Sequence, residues 1–285
     1  MNGIILIDKP KEYTSHDVVA IIKKISKEKV GHTGTLDPNA TGVLPLLVGK
    51  ATGISKYLIN HDKTYIATIK LGIKTDTADI EGNIIEEKEI PELSEEIVVK
   101  VLNDMIGKQT QVPPMYSAIK VNGKKLYEYA RQGKIVEIKG RDIEIYNMKL
   151  VELNLKEAEV VFEISCSKGT YIRTVCENIA EHLNTVGYMK ELRRVKVGEF
   201  EIKDSISIED IKNNEKILEE KVISIEKFFY DNEKLELNDK ELQLFLNGVM
   251  LTKQNIEGIY RIYNNDSFIG LGIISNNRLK RDIII

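Results

Sequence analysis

The sequence predicts an α+β fold that ends in a small β-rich module. A buried strand and an amphipathic helix come first, and hairpins with inserted helices follow, which differs from the regular alternation of a doubly wound parallel sheet. The chain has 285 residues, enough for one large domain with a small appendage. We therefore expect a large domain over residues 1–233 and the module over residues 234–285.

Apolar periodicity and capping signals define the elements of the large domain. GIILI at residues 3–7 predicts a buried strand, and Thr14 or Ser15 predicts the start of a helix with an apolar stripe. Residues 31–45 include three glycines and two prolines without periodicity, which predicts a long irregular loop. Further strands are predicted at residues 46–48, 65–71, 117–121, 136–139, 142–153, 159–166 and 189–200. Further helices are predicted at residues 52–58 and 171–183, with short acidic helices within 206–229.

One further helix is delimited by Ser94 as its cap and by Gly107 after its last turn. Its apolar residues are expected to face inward, and they are Ile97, Val98, Val101, Leu102, Met105 and Ile106.

Local turn and capping signals predict the remaining elements. Asn122-Gly123 is typical of a type I′ hairpin. Asn238 and Glu241 form a capping box before the last helix. The last 27 residues alternate in strand fashion, with turns at Asn264-Asn265 and Asn276-Asn277, which predicts the strands of the C-terminal module.

The net charge of −3 is distributed unevenly along the chain. Residues 76–104 carry −8 and residues 204–241 carry −6, so the rest of the chain carries +11. A polyanion responds to the local field of one face rather than to the total charge. The distribution permits a nucleic-acid ligand, and a chance alternation of acidic and basic helices explains it equally well.

Membrane, metal and disulfide signals are lacking in the sequence. No apolar run approaches the roughly 18–20 residues that span a bilayer, and the N-terminus does not read as a signal peptide. We therefore expect a cytoplasmic protein. Cys166 and Cys176 are too few for a disulfide framework or a zinc site, so no structural metal is expected.

The loop GHTGTLDPNATG at residues 31–42 contains a single carboxylate, Asp37, between Leu36 and Pro38. Pro38 has a restricted φ and pushes Asp37 toward an extended backbone. A preorganised carboxylate suits a nucleophile or a general base. An Asp-Pro pair also commonly begins a turn, and the residues alone leave both interpretations open.

A second candidate is the segment SKGTYIR at residues 167–173, between a predicted strand and a predicted helix. Gly169 permits a tight turn there. Arg173 either binds a carboxylate through two hydrogen bonds or is a solvated helix charge. Tyr171 is either a core aromatic or a platform for a planar ligand.

Several other catalytic patterns do not match. The glycine-containing loop fits neither a Walker nor a Rossmann phosphate-binding motif. A glycosidase would need a second carboxylate in a comparable context, and an α/β-hydrolase would need a G-x-S-x-G elbow.

Six motifs follow one another along most of the chain. They are DKP with TSHD within residues 8–17, GHTGTLDPNATG at 31–42, KTY to LG at 63–72, QVPPMYSAIK at 111–120, SKGTYIRT at 167–174, and LRR with Gly198 and Phe200 within 192–200. In this order they resemble the motifs of the bacterial tRNA pseudouridine-55 synthases, the TruB type. The resemblance implies a mixed central β-sheet with helices around a catalytic cleft. It also implies a PUA-like module at 234–285 and an RNA-clamping insertion at about 123–140.

The same resemblance implies roles for individual residues. Asp37 would be the catalytic aspartate, Tyr65 would stack on the target base, and Arg173 would pair with Asp37. His32 would support the flipped nucleotide, and the other pocket residues would be Lys9, Tyr171 and Leu192.

The implied reaction is the isomerisation of uridine to pseudouridine at position 55 in the T loop of tRNA. It involves neither redox change nor net hydrolysis, which agrees with the lack of cofactor and metal motifs. No guide RNA or obligate protein partner is expected, and the chain is expected to act as a monomer. Asp37 would attack either C6 of the base or C1′ of the ribose, and the sequence does not choose between them. The alternatives are a guide-dependent synthase of the eukaryal and archaeal type and a non-catalytic RNA-binding protein.

Overall fold

The protein is described by a computed structural model that covers residues 1–117, 119–134 and 136–285. Its strands are β1 Gly3–Lys9, β2 Val30–His32, β3 Thr41–Val48, β4 Lys63–Leu71, β5 Ile73–Thr75, β6 Ile84–Glu87, β7 Gly107–Gln111, β8 Lys120–Val121, β9 Lys124–Lys125, β10 Arg141–Asn154, β11 Glu159–Cys166, β12 Gly187–Val197, β13 Phe200–Glu201, β14 Ile206–Ser207, β15 Lys234–Glu236, β16 Leu251–Thr252, β17 Gly258–Asn264, β18 Ser267–Ser275 and β19 Arg278–Ile284. Its α-helices are α1 Ser15–Ser26, α2 Ser55–Leu58, α3 Glu95–Asp104, α4 Leu126–Ala130, α5 Ile172–His182, α6 Ile208–Asn213, α7 Ile217–Lys221, α8 Ile225–Phe228 and α9 Asp239–Leu246. No helix in these ranges is long and apolar enough to cross a bilayer.

The described residues form two compact units. The first comprises Met1–Asp37, Leu44–Ile59 and Asp204–Ile285, and the second comprises Pro38–Val43 and Asn60–Lys203. The sheet of the second unit is mixed, because β12 pairs with the start of β3 in parallel and with β4 antiparallel. The predicted α+β class with a large mixed sheet is confirmed.

In the first unit, the strands lie in the order β14-β1-β3, and their side chains form an apolar core together with those of α1. Val18 and Ile22 of α1 are buried there, one turn apart, as the predicted stripe requires. The helix begins at a capping box, in which Thr14 and Asp17 satisfy each other's backbone N–H groups. The start of α1 is therefore rigidly defined, which matters for the site below.

The C-terminal part of the first unit has its own five-stranded sheet, in the order β15-β17-β18-β19-β16. The helix α9 packs against it through the fully buried Phe245, and Asn238 and Glu241 form the predicted capping box. The β-rich character of the C-terminal module is confirmed, while its boundary at residue 234 stays a prediction.

In the second unit, the strand order is β12-β4-β11-β10-β7, and the first residues of β3 pair with β12. The helix α5 lies against β12 and β4, with Val175, Cys176 and Ile179 buried. The predicted hairpin is confirmed, because β8 and β9 pair around Asn122 and Gly123, both with positive φ.

Three predictions about secondary structure are wrong. The loop predicted at residues 31–45 is shorter, because β2 and β3 pair at both of its ends, and β3 tolerates Pro45. The predicted strand at 136–139 does not form, since none of these described residues pairs with a neighbouring strand. The helix α3 ends at Asp104, so Ile106 lies beyond it, and Ile97 within it is 45% exposed rather than buried.

Two of the predicted segments extend over residues outside the described ranges. The predicted strand at 117–121 includes Ala118, and the predicted insertion at about 123–140 includes Ile135. The described residues of the insertion hold β9 and α4.

Candidate active site

In the first unit, the loop that carries Asp37 is fastened to the first turn of α1. The Leu36 N–H donates to Ser15 Oγ at 2.9 Å, and Ser15 Oγ also lies 3.3 Å from the Leu36 carbonyl oxygen, to which it donates. Ser15 and Leu36 are both buried, so water does not compete for these bonds. The backbone directly before Asp37 is thereby fixed, and Asp37 itself is half-buried.

Two other predicted site residues lie near the same end of α1. The His32 ring packs edge-on against His16 of α1, with 5.4 Å between ring centroids. Lys9 is fully buried at the end of β1, and its Nζ donates to the carbonyls of Pro10 at 2.9 Å and Tyr13 at 2.6 Å. The ammonium group thus holds the turn that leads into α1.

In the second unit, Tyr65 and Leu192 share one face of the sheet. Tyr65 on β4 lies directly opposite Arg194 on β12, and Leu192 is two residues from Arg194. Residues opposite each other in an antiparallel pair, and residues two apart on one strand, project to the same side. Tyr65 and Leu192 are both buried, and this face combines an aromatic ring, an aliphatic side chain and a guanidinium group.

Arg194 is a residue that the sequence patterns did not predict for the site. It is 1% exposed, its Nε donates to the Val43 carbonyl at 2.9 Å, and its side chain hydrogen-bonds the Tyr65 hydroxyl. Burial lowers the pKa of Arg194, and its interaction with Tyr65 opposes this change. A guanidinium remains protonated at neutral pH, so a buried positive charge fixes the Tyr65 hydroxyl. Leu192 and Arg194 lie on one face of β12 because side chains alternate along a strand, and this alternation could have identified Arg194 from the sequence.

Gly42 makes the close approach of β3 and β12 possible. Its φ is +112°, and a Cβ at this position would overlap the backbone carbonyl and amide of Arg194. The glycine predicted as part of the loop therefore has a packing role at the start of β3.

Arg173, on the first turn of α5, donates to acceptors at residues 77, 79 and 116. Its Nη1 lies 3.2 Å from Asp79 Oδ2 and 3.3 Å from the Thr77 carbonyl, and its Nη2 lies 2.9 Å from the Tyr116 carbonyl. Asp79 was not predicted as a site residue, because nothing local in the sequence relates it to Arg173. The pairing of Arg173 with Asp37 stays a prediction.

Tyr171 is the residue before α5, half-buried and in an extended conformation. The structure thus groups the predicted residues within each unit. Lys9, His32 and Asp37 lie around the start of α1, Tyr65 and Leu192 share a sheet face, and Tyr171 and Arg173 begin α5. These groups supply a carboxylate, cations and aromatic rings, which suit a planar, anionic substrate such as a nucleotide.

Three family models match the chain. They are the TruB family pseudouridylate synthase N-terminal domain at residues 23–172, the tRNA pseudouridylate synthase B C-terminal domain at 173–231, and the pseudouridine synthase II TruB C-terminal model at 234–281. The first alone covers more than half of the chain.

Curated relatives match over nearly the whole length. The chain is 47% identical over 279 residues to tRNA pseudouridine synthase B of Clostridium tetani, with 95% of each chain covered. It is 41% identical over 285 residues to the protein of that name from Francisella tularensis subsp. tularensis, with 98% of this chain and 93% of the relative covered.

Solved structures with a similar fold include a Cbf5-Nop10-Gar1 complex, with a TM-score of 0.69 and 25% identity over 99% of this chain and 83% of that chain. An H/ACA RNP bound to a substrate RNA containing 2′-deoxyuridine gives a TM-score of 0.70 and 24% identity, over 99% of this chain and 85% of that chain. At 24% identity, the similarity to the H/ACA RNP structure shows only that the two chains share a fold.

Proposed function

The chain belongs to the TruB family of pseudouridylate synthases, and from this premise we propose that it isomerises the uridine at position 55 in the T loop of tRNA with Asp37 as the nucleophile. It is an enzyme that converts uridine in tRNA to pseudouridine. Beyond this activity, we propose the position of the uridine in the tRNA, the nucleophile and the residues that hold the base.

The pair of hydrogen bonds between Ser15 and Leu36 is the observation that supports Asp37 as the nucleophile. A nucleophile gains rate when it is held in a near-attack geometry before the substrate binds. Since Leu36 is fixed and Pro38 restricts the other side of Asp37, little backbone freedom remains for the carboxylate to lose.

The isomerisation exchanges one bond of the base for another. The N1–C1′ bond breaks, a C5–C1′ bond forms, the hydrogen of C5 leaves as a proton, and N1 gains a proton. In our proposal Asp37 attacks either C6 of the base or C1′ of the ribose, and is released at the end. The cytoplasmic location and the absence of a cofactor, guide RNA or obligate protein partner stay predictions, as does the monomeric state.

The base must leave its stack to reach a protein nucleophile, which costs a few kcal/mol. An aromatic platform returns about 1–3 kcal/mol per stacked base. We propose Tyr65 as this platform. In its support, the hydroxyl of Tyr65 is held by the buried Arg194, so the orientation of the ring is set before the base arrives.

Tritium release from tRNA tests the proposal directly. Unmodified tRNA labelled at uridine C5 is incubated with the wild type, with Asp37→Asn and with Asp231→Asn, an exposed control that removes the same charge elsewhere. We expect one equivalent of tritium per tRNA from the wild type and the control, and none from Asp37→Asn, which should still bind tRNA.

A second substrate tests the position of the uridine. A tRNA with cytidine at position 55 should release no tritium with the wild type. Release from this tRNA would contradict the assignment to position 55, and turnover by Asp37→Asn would contradict the nucleophile. Tight tRNA binding without release by the wild type would favour the alternative of a guide-dependent or non-catalytic protein.

A further inference from the structure

Gln111 is a buried amide that the reaction as described does not use. It is the last residue of β7, it is 4% exposed, and it lies 60 residues from Tyr171 in sequence. Its Oε1 accepts a hydrogen bond from the Tyr171 N–H at 2.8 Å, and its Nε2 donates to the Tyr171 carbonyl at 3.1 Å. One side chain therefore satisfies both backbone groups of the residue at the start of α5.

This start has no local cap. Tyr171 occupies the position where Ser, Thr, Asp or Asn commonly caps a helix, and its side chain makes no capping bond. Its carbonyl accepts the first helical bond from Val175 N–H at 3.1 Å in addition to the bond from Gln111. The position and direction of this helix end thus depend on a side chain from a distant strand.

The turn before α5 is fixed at its other end as well. Ser167 Oγ accepts from the Glu144 N–H at 2.9 Å, and Thr170 Oγ1 donates to the Ser167 carbonyl at 3.0 Å. Gln111 closes the opposite end of the same turn. Without it, the Tyr171 backbone would lose two of its hydrogen bonds and keep the one that its carbonyl accepts from Val175 N–H.

Arg173 is bound by the same segment that holds Tyr171. Five residues after Gln111, the Tyr116 carbonyl accepts from Arg173 Nη2 at 2.9 Å. The segment from Gln111 to Tyr116 therefore contacts two of the predicted site residues at once, through a side-chain amide and through a backbone carbonyl.

We propose that Gln111 is a positioning residue for the isomerisation, which fixes the backbone of Tyr171 and thereby the place of Arg173 at the start of α5. The role needs a donor and an acceptor on one planar group, which an amide provides. The inference rests on the proposed function, since it assigns Tyr171 and Arg173 to the site of that reaction.

The first test replaces Gln111 with methionine, which keeps the chain length and removes both hydrogen bonds. The matched control is Gln109→Met, because Gln109 lies on the same strand and donates one hydrogen bond to the Met105 carbonyl at 2.9 Å. Tritium release is measured in single turnover at saturating enzyme, with tRNA affinity and thermal unfolding measured in parallel. We expect Gln111→Met to lower the single-turnover rate about 10- to 100-fold, as expected for small misplacement of reacting groups, while Gln109→Met stays within about twofold.

The second test is Gln111→Glu across pH 6 to 8. An ionised glutamate accepts from the Tyr171 N–H but cannot donate to its carbonyl, whereas a protonated glutamate can do both. Burial raises the pKa of a carboxyl, so the protonated form is populated at the acidic end of this range. We expect the deficit of this variant relative to the wild type to shrink as the pH falls, an effect that loss of packing alone would not produce.

A Gln111→Met enzyme within twofold of the wild-type rate, or a Gln111→Glu deficit that does not change with pH, would overturn the inference. If Gln111→Met does not fold, the pH dependence of Gln111→Glu decides. Absence of tritium release from the wild type would instead refute the proposed function, so the two failures are distinguishable.

Discussion

Arg173 forms an ion pair with Asp79 across 94 residues of sequence, with 3.2 Å between Arg173 Nη1 and Asp79 Oδ2. The other oxygen of this carboxylate accepts from Thr77 Oγ1 at 2.6 Å and from the Glu81 N–H at 3.1 Å. The Asp79 carboxylate is therefore oriented by hydrogen bonds within its own turn, independently of its contact with Arg173. Because both side chains are largely buried, salt screens this pair less than it would a surface pair.

Replacing Asp79 with alanine should slow isomerisation more than it weakens tRNA binding. Loss of the carboxylate removes the acceptor for Arg173 Nη1 that Asp79 provides, so the guanidinium is oriented less strictly. We expect the single-turnover rate to fall about 10- to 100-fold, and Asp79→Asn, which keeps an acceptor, to lose less. Asp76→Asn is the control, since Asp76 accepts from the Asn83 N–H in the same turn. An unchanged rate for Asp79→Ala would show that the pair does not position Arg173.

Two substitutions of Tyr65 separate its ring from its hydroxyl. Tyr65→Phe keeps the stacking surface but removes a partner of the buried Arg194, so we expect about 1–3 kcal/mol less stability in urea unfolding. Tyr65→Leu removes the ring as well, and we expect a further loss of single-turnover rate, equivalent to about 1–3 kcal/mol. Equal rates for the two variants would refute the stacking role.

The elements that the sequence predicted correctly are those with local signals. The Thr14 cap, the Asn122-Gly123 turn and the Asn238 capping box each act over a few residues, so the chain alone indicates where they lie. Strands were likewise predicted at residues 65–71 and 189–200, where β4 and β12 lie. The register between β4 and β12 could not be predicted, because no local sequence pattern places Tyr65 opposite Arg194.

In the candidate site, too, the residues with local sequence signals were predicted and those with distant partners were not. The motif around Asp37 is contiguous, so a resemblance could identify it, whereas Asp79 and Gln111 act on residues 94 and 60 positions away. Such partners follow from how strands and turns assemble, which composition and periodicity do not determine. The exposed Ile97 has a related cause, since a helical stripe does not tell how much of it the neighbouring sheet covers.

Gly42→Ala should destabilise the fold at the start of β3. The new methyl group would overlap the Arg194 backbone at a φ of +112°, where side chains are also strained, so β3 and β12 must separate. We expect a loss of at least 1–3 kcal/mol, of the order seen for overpacked sites, in urea unfolding. Gly133→Ala is the control, because it also has a positive φ but open space around its Cα. Equal losses would assign the effect to φ alone.

Glu177, one turn after Arg173 on α5, should make stability depend on pH. Burial raises the pKa of this carboxyl above its ordinary value, although Lys74, 3.6 Å away, opposes the shift. The folded state therefore binds this proton more tightly than the unfolded state, and the contribution of Glu177 to the free energy of unfolding falls as pH rises above about 4.5. We expect Glu177→Gln to gain stability relative to the wild type between pH 4 and pH 8, with the exposed Glu152→Gln as the control. A difference that is constant over this range would contradict the assignment.

Ser15→Ala should slow the reaction and lower the stability of the fold. The variant removes the hydroxyl that both accepts from and donates to Leu36, so a buried N–H and carbonyl next to Asp37 lose their partner. We expect about 1–3 kcal/mol less stability, and a lower single-turnover rate because Asp37 gains backbone freedom. The control is Ser26→Ala at the other end of α1, where Ser26 Oγ accepts from the Glu28 N–H at 3.3 Å. If the two alanine variants release tritium at equal rates, the hydrogen bonds to Leu36 do not position the nucleophile. If only Ser15→Ala is slow while its tRNA affinity is unchanged, the defect lies in the placement of Asp37 rather than in binding.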